Sequence, residues 1–262
     1  MITGKGETPT AGSVQARMIR IRIIILMLGF TIIGNHTFGQ VDYEQQLYNA
    51  YVEGRILDWK PILAGMQAKY KKEKQPELLY ALCFAQYGYI GHCISKDLDD
   101  EAKDCLKKAE KNAEELERIY RGRHDILALQ GAFTGFRIML SKFSAMYLAP
   151  RAFKLVKTAS ASSDKFFNCS LETGNIRYFT PKFLGGSKEE AIEYYENAVK
   201  LLEKNALKGK PSWIYINTLL LLSNAYYDTG AKDQACKTYQ RILAYEPGIQ
   251  WIRDEMNKKC NN

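Results

Sequence analysis

The sequence has little histidine and no catalytic or metal-binding pattern. It contains three histidines in 262 residues, and only His92 and His124 lie beyond the N-terminal leader described below. Neither belongs to a His-Glu-x-x-His helix, and their spacing suggests no Ser/His/Asp or Cys/His set. The six cysteines form no CxxC pair, so no zinc site is predicted. We therefore predict that the protein is not an enzyme and uses no metal or cofactor.

Proline and strand-like alternation are also scarce. Seven prolines and few alternations of Val, Thr and Ile indicate helix rather than sheet. The content of 46% hydrophobic and 25% charged residues is ordinary for a globular protein with a real core. The net charge is +8, and residues 1–39 hold four basic residues and one glutamate, which leaves +5 for the rest. Such a modest excess could attract anionic surfaces weakly, but it more often marks a solvated face, and no nucleic-acid partner is predicted.

Residues 1–39 are predicted to be an N-terminal extension and an export signal. Met18–Arg22 is a short basic region, Ile23–Gly34 is an apolar run, and Asn35–Gly39 is a polar tail with small residues. This order is the secretory signal pattern, and the apolar run is shorter than the roughly 20 residues that span a membrane. We predict cleavage near Gly39–Gln40 and an exported, periplasmic protein. The alternative is an uncleaved anchor, which would be the only contact with a membrane.

Export would place all six cysteines in an oxidising compartment, where disulfides persist. Cys236 lies early in a predicted helix, and Cys260 follows the segment Ile249–Lys259. If that segment folds back antiparallel, the two sulfurs come close enough to form a bridge. Cys93 and Cys105 flank a predicted helix–helix turn and could pair likewise. The alternative is buried free thiols, which are common in helical cores.

Apolar residues recur at helical spacing through most of residues 40–262, which we predict to form one helical-repeat domain. The predicted segments are Asp42–Gly54, Leu57–Glu73, Pro76–Cys93, Glu101–Tyr120, Asp125–Tyr147, a shorter helix after Pro150, Ser187–Lys204, Trp213–Pro247 as a helical pair, and Ile249–Lys259. Asp164–Gly186 is the least regular stretch, and Phe166–Phe183 lacks the pattern of a clean first helix of a hairpin. A capping box is predicted at Ser187 and Glu190.

The pair Trp213–Pro247 is the clearest unit. Two apolar-periodic runs flank Asp228-Thr229-Gly230, where glycine can close a helix, and proline ends the second run. The spacing resembles the tetratricopeptide repeat (TPR), a 34-residue helix–turn–helix unit. The matching residues are Leu219, Leu222, Tyr226, Gly230, Ala235, Tyr239, Ile242 and Pro247. We predict an all-α fold, a right-handed array of about five antiparallel helical hairpins with a C-terminal capping helix.

A second motif precedes the helix at Ser187–Lys204. It reads Pro181-x-x-x-Gly185-Gly186-x-x-x-x-Ala191 and resembles a signature of exported TPR-like proteins from Bacteroidota. A more distant similarity is to the helical-repeat subunits of extracytoplasmic solute transport systems. The two glycines do not predict a phosphate-binding loop, because the Gly-x-x-x-x-Gly-Lys order after a strand is absent. They predict a turn and a helix cap.

Repeat geometry predicts the binding surface. First helices of stacked hairpins line the concave side, and residues off the packing stripe face the groove. The predicted groove residues are Tyr48, Tyr51, Asn217, Leu221, Asn224, Tyr227 and Asp228. Amides, an acid and tyrosines suit hydrogen bonding to an extended peptide. We therefore predict a non-catalytic scaffold that binds a protein or peptide of the cell envelope.

A second hypothesis is a small-ligand-binding accessory protein of an envelope solute transporter. It requires an enclosed cavity between helices, lined by aromatic side chains. The candidates for that lining are Tyr89, Phe133, Phe136 and Tyr178.

Overall fold

The computed structural model describes residues 42–205 and 211–260, so the predicted leader lies outside the described residues. Within these ranges the chain is all α-helical, as predicted, with no strand. The helices are α1 Tyr43–Val52, α2 Trp59–Glu73, α3 Pro76–Ser95, α4 Asp99–Ile119, α5 His124–Leu140, α6 Ala145–Ser160, α7 Phe167–Phe179, α8 Lys188–Asn205, α9 Trp213–Asp228, α10 Lys232–Tyr245 and α11 Gln250–Cys260. Three 3-10 helices accompany them at Ile56–Asp58, Lys142–Ser144 and Lys182–Leu184.

Consecutive helices pack as hairpins. The pairs are α1/α2, α3/α4, α5/α6, α7/α8 and α9/α10, and α11 covers α10. The first helix of one hairpin also contacts the first helix of the next, as α3 does with α5 and α5 with α7. Five hairpins and a terminal cap were expected, and the arrangement is TPR-like. No helix in the described ranges is long and apolar enough to cross a membrane.

Helix α3 lies at the centre because apolar residues cover nearly all of its circumference. Leu79, Leu82 and Ile90 are fully buried. The helix contacts α2, α4 and α5, and Gly88 lies against the rings of two tryptophans. A Cβ atom at Gly88 would lie 2.7 Å from Trp213 of α9. The bare backbone at this position lets the last hairpin pack directly on α3.

An aromatic cluster joins the first hairpin to the last. The ring of Tyr51 lies 6.0 Å from that of Trp213 and 5.6 Å from that of Trp251. The indole of Trp59 meets Trp213 edge-on at 5.0 Å, and Trp251 Nε1 donates to the Tyr51 carbonyl at 3.1 Å. Aromatic side chains of the first and last hairpins therefore pack against each other on the inner side of the array.

The turn between α5 and α6 differs from the prediction. A single helix was expected to run to Tyr147, but α5 ends at Leu140 and α6 begins at Ala145. Ser144 Oγ donates to the Ser141 carbonyl at 2.6 Å and closes the turn. The prediction was wrong because Phe143 and Tyr147 continue the apolar pattern, although both are exposed.

Helix α7 occupies the stretch in which the sequence showed no clean first helix. Its residues 168–174 are all buried, although most are polar or small. Ser170 Oγ donates to the Tyr194 carbonyl at 2.8 Å, and Asn168 Nδ2 donates to the Asp125 carbonyl at 2.7 Å. Hydrogen bonds to neighbouring helices thus allow polar side chains to be buried. The apolar periodicity that predicts helices is absent for this reason.

The glycine motif after α7 forms a tight turn and a helix cap. A Cβ atom at Gly186 would lie 1.8 Å from the Thr180 carbonyl oxygen, so only glycine fits. The Glu190 amide donates to Ser187 Oγ at 3.1 Å, which confirms half of the predicted capping box. The Glu190 carboxylate pairs with Arg177 Nε at 3.0 Å instead of reaching back to the cap.

One disulfide fastens the terminal helix. Cys236 of α10 is bonded to Cys260 at the end of α11, with the two Cα atoms 5.8 Å apart. A loop of this length stabilises the fold by about 3 kcal/mol. The pairing considered for Cys93 and Cys105 is wrong, because both are buried free thiols between α3 and α4. Burial raises the pKa of Cys93, and it raises that of Cys105 to about 12.

The contact at Gly88 generates a stability prediction. Gly88→Ala places a methyl group against two tryptophan rings, so we expect the free energy of unfolding to fall by about 1–3 kcal/mol. The matched control is Gly135→Ala in α5, where no atom lies within 4 Å of the added Cβ. That variant should gain stability or keep it, since alanine favours helix. Urea denaturation measures both, and an equal effect of the two substitutions would refute the close packing.

Candidate functional site

The two predicted groove residues of α1 lie in the core. Tyr48 and Tyr51 are only 6% and 4% exposed. The hydroxyl of Tyr48 donates to Glu246 Oε2 at 2.7 Å, and burial together with this carboxylate raises the pKa of Tyr48 far above its usual value. Their placement in an open groove was wrong, because α9 and the start of α11 pack against α1.

The predicted groove residues of α9 meet both ends of the array: the Tyr51 hydroxyl of α1 donates to Asn217 Oδ1 at 3.5 Å, whereas Asn224 and Tyr227 meet the terminal helix. Asn217, Leu221 and Asn224 are half-buried. Lys259 Nζ donates to Asn224 Oδ1 at 2.6 Å and lies 5.3 Å from the ring of Tyr227. Tyr227 itself is 41% exposed. The disulfide holds the end of α11 in place. Lys259 is therefore hydrogen-bonded to the Asn224 side chain, which was predicted to bind a partner.

Asp228 links three helices. Its Oδ2 accepts from Lys188 Nζ at 2.8 Å and from the Tyr178 hydroxyl at 2.7 Å. The hydrogen bond from Lys188, followed by that from Tyr178, lowers the pKa of Asp228. Asp228 is thus satisfied within the fold, and the predicted groove residues do not converge on an open site.

A surface pocket of about 220 Å³ lies between α4, α5 and α6. Its lining residues are Glu110, Ala113, Glu114, Gln130, Phe133, Thr134, Arg137, Leu148 and Arg151. The buried side chains of Ala113, Phe133 and Thr134 form the floor. We call this the α4–α5–α6 pocket. Its floor is mostly apolar, and its rim is polar and charged.

The rim carries charges of both signs. Arg137 Nε lies 2.6 Å from Glu110 Oε1, and a second contact joins Arg137 Nη2 to Glu110 Oε2. This bidentate pairing raises the pKa of Arg137. Across the pocket, Arg151 and Glu114 are exposed, and neither side chain forms an ion pair within residues 42–205 and 211–260. One unpaired charge of each sign therefore borders the apolar floor.

The sequence analysis missed this pocket, although the sequence contains a signal for it. Helix α5 is apolar along most of its length, yet Gln130, Thr134 and Arg137 interrupt it at spacings of four and three residues. Residues so spaced lie on one face of a helix. A polar stripe on an otherwise apolar helix indicates a solvent-facing cleft.

The four aromatic residues proposed to line a ligand cavity do not come together. Phe133 alone belongs to the α4–α5–α6 pocket. The Tyr89 hydroxyl donates to Glu101 at 3.0 Å, and Phe136 packs against a ring of α3. The Tyr178 hydroxyl donates a hydrogen bond to Asp228 at the end of α9. The shared cavity expected for a small ligand is therefore not formed by these side chains.

The array also buries the carboxyl group of Glu172 between α3, α7 and α8. Asn175 Nδ2 donates to Glu172 Oε2 and to the Tyr87 hydroxyl, each at 3.1 Å. The Tyr195 hydroxyl donates to Asn175 Oδ1 at 2.9 Å. Burial raises the pKa of Glu172 to about 7. This network crosslinks α3, α7 and α8, and no group of three or more metal-binding side chains exists in the described part of the chain.

Glu172 generates a pH prediction. Its pKa rises from 4.5 in the unfolded chain to about 7 in the folded one, so the folded state binds the proton more tightly. Stability from this group is full below about pH 4.5 and falls as the pH rises to about 7. The loss is roughly 3 kcal/mol at most.

Glu172→Gln removes the titrating group. As the pH rises from 5 to 8, the free energy of unfolding of the wild type should therefore fall relative to that of the variant. Urea denaturation at the two pH values measures the difference. Glu193→Gln is the control, since Glu193 is exposed on the neighbouring helix α8. Identical pH profiles for the wild type and Glu172→Gln would contradict a buried, proton-binding carboxyl.

The fold is TPR-like, with helices packed as sequential pairs. The chain is similar to TTC0263, a thermophilic TPR protein of Thermus thermophilus, with a TM-score of 0.56 and 16% identity over 84% of this chain and 98% of that one. It is also similar to the HusA haemophore of Porphyromonas gingivalis, with a TM-score of 0.49 and 16% identity over 73% and 96%. No family model and no curated protein matches the chain.

Proposed function

We propose that this protein is an exported, non-catalytic scaffold that binds an extended segment of a protein or peptide of the cell envelope. The α4–α5–α6 pocket supports the proposal. Its apolar floor around Phe133 suits one anchoring side chain, and the half-buried Gln130 amide supplies polar groups for a peptide backbone. Arg151 and Glu114 offer one charge of each sign to flanking residues. Anchors in pockets with polar rims are the usual basis of polypeptide recognition.

The size of the pocket favours a peptide over a free small molecule. Sites for drug-sized ligands enclose about 300–1,000 Å³, whereas this pocket measures about 220 Å³ and opens to solvent. One side chain fills such a space while the rest of the segment lies along the rim. The alternative role in small-ligand transport is not supported, because the four aromatic residues expected to line a common cavity lie apart.

Export is supported by two separate observations. The pattern of residues 18–39 is that of a secretory signal. The bridge between Cys236 and Cys260 suits an oxidising compartment, because disulfides are rare in the reducing cytosol.

Export can be tested by counting thiols. Protein that is denatured together with the alkylating reagent at the moment of cell lysis should carry four modified cysteines, and six if it is also reduced before alkylation. Deletion of residues 18–34 should block export and yield six modified cysteines without reduction. Four modified cysteines in the deleted protein would show that the bridge does not depend on export.

Peptide binding can be tested by site-specific photocrosslinking in cells. A benzophenone side chain at Gln130 should form an adduct with a polypeptide, because this position lies at the rim of the pocket. Arg151→Glu should lower the adduct yield about fivefold, since an exposed charge contact is worth up to about 1 kcal/mol. Arg121→Glu is the charge-matched control on an exposed loop.

The same experiment separates the pocket from the groove first predicted. A benzophenone at Tyr227, which is exposed on α9, should give no adduct that depends on Arg151. Adducts from Tyr227 alone, or an adduct with the mass of a small metabolite, would refute peptide binding at the pocket.

A further inference from the structure

The turn between α5 and α6 exposes large apolar side chains that the proposed peptide site does not use. Phe143 is 94% exposed, and Met146 and Tyr147 are 77% and 78% exposed. Met139, in the last turn of α5, is also exposed. We call these four residues the apolar corner. Side chains of this size rarely stand in water as a group without a binding role.

The segment that carries the apolar corner has charges of one sign only. Residues 126–163 contain five basic residues and no acidic residue. Lys154 and Lys157 are exposed on α6, and neither forms an ion pair with a described residue. The chain as a whole holds 29 acidic and 37 basic residues, so a wholly basic stretch of this length departs strongly from the average.

Helical geometry places the apolar and basic side chains on one outward face of α6. Met146 and Phe153 are seven residues apart, as are Tyr147 and Lys154, and residues two turns apart share a face. All four are exposed, whereas Ala152 and Val156 on the opposite face are buried. Helix α6 is thus an amphipathic helix whose outer face combines rings with lysines.

From these observations we infer that the apolar corner and the outer face of α6 bind an anionic lipid surface. Phe143, Met146 and Tyr147 would enter the boundary between headgroups and acyl chains, while Lys154 and Lys157 pair with lipid phosphates. Interfacial helices combine these two contributions, apolar burial and attraction of basic residues to anionic lipids. This binding departs from the earlier expectation that only the leader contacts a membrane, and it does not depend on the peptide site.

The shape of the corner favours a lipid surface over a second protein. Anchors at protein interfaces are packed into complementary pockets. Phe143 projects almost wholly into solvent from a turn, and a fluid acyl layer can enclose such a protruding group from all sides. Lys154 and Lys157 lie further along the same helix. Their side chains are long enough to reach lipid phosphates beside the inserted rings.

The test uses the full chain and vesicles of phosphatidylcholine with and without phosphatidylglycerol. The wild type should float with anionic vesicles, and high salt should weaken binding. Phe143→Ser with Met146→Ser and Tyr147→Ser should lower the bound fraction at least about tenfold, since the removed apolar area is large. Lys154→Glu with Lys157→Glu should lower it by a similar factor.

A matched control is Phe183→Ser with Leu184→Ser. This pair is also strongly exposed, but Glu189 and Glu190 follow it. Its removal should leave vesicle binding unchanged. The variants of the apolar corner should keep the circular dichroism and unfolding midpoint of the wild type, because the replaced side chains contribute little to the core.

Phe143→Trp gives a local readout of lipid contact at the apolar corner itself. The fluorescence of the introduced indole should shift to shorter wavelength and be quenched by brominated lipids when anionic vesicles are added. Leu57→Trp, an exposed position in the 3-10 helix Ile56–Asp58, should show neither change. The inference is overturned if the Phe143→Trp variant stays unquenched, if neutral vesicles bind equally well, or if the corner variants lose only binding to a protein.

Discussion

The packing of Trp59 and Trp213 against the bare backbone of Gly88 is the constraint on which the rest of the structure depends. An open array of helical hairpins buries each hairpin only against its neighbours. Here the ninth helix reaches across to the second and third, and both rings occupy the space a side chain at Gly88 would fill. The two ends of the array are therefore joined through one aromatic cluster.

Closure changes which surfaces remain free. Tyr48 and Tyr51 lie inside because α1 forms the contact between the two ends. The terminal helix completes the covering of α9, and the Cys236–Cys260 bridge holds Lys259 on Asn224. Tyr48, Tyr51 and Asn224, which were predicted to meet a partner in an open groove, serve here to hold the array closed. Free polar and apolar surface remains on the second helices and at the turns.

The sequence predicted the helices whose apolar residues recur with helical spacing. The prediction failed where polar side chains are buried, as in α7, and where apolar side chains are exposed, as at the turn between α5 and α6. The hairpin at Gly230 follows from its spacing and its turn residues. Helix α7 could not be predicted, because Asn168, Ser170 and Glu172 are buried through hydrogen bonds that only the neighbouring helices provide. The groove residues were misplaced because repeat geometry gives the side of each helix that faces inward. It does not specify whether the inner side stays open.

The same rule underlies the two binding surfaces proposed above. Residues that oppose the core-forming pattern must be explained either by internal partners or by external ones. Glu172 and Asn168 have internal partners. Gln130 and Arg137 interrupt an apolar helix to border a pocket, and Phe143 extends an apolar pattern into solvent. Both exceptions lie on the α5/α6 hairpin, the third of five and the one farthest along the chain from the two joined ends. Because closure does not require the outer side of this hairpin, its surface is free to specialise in recognition.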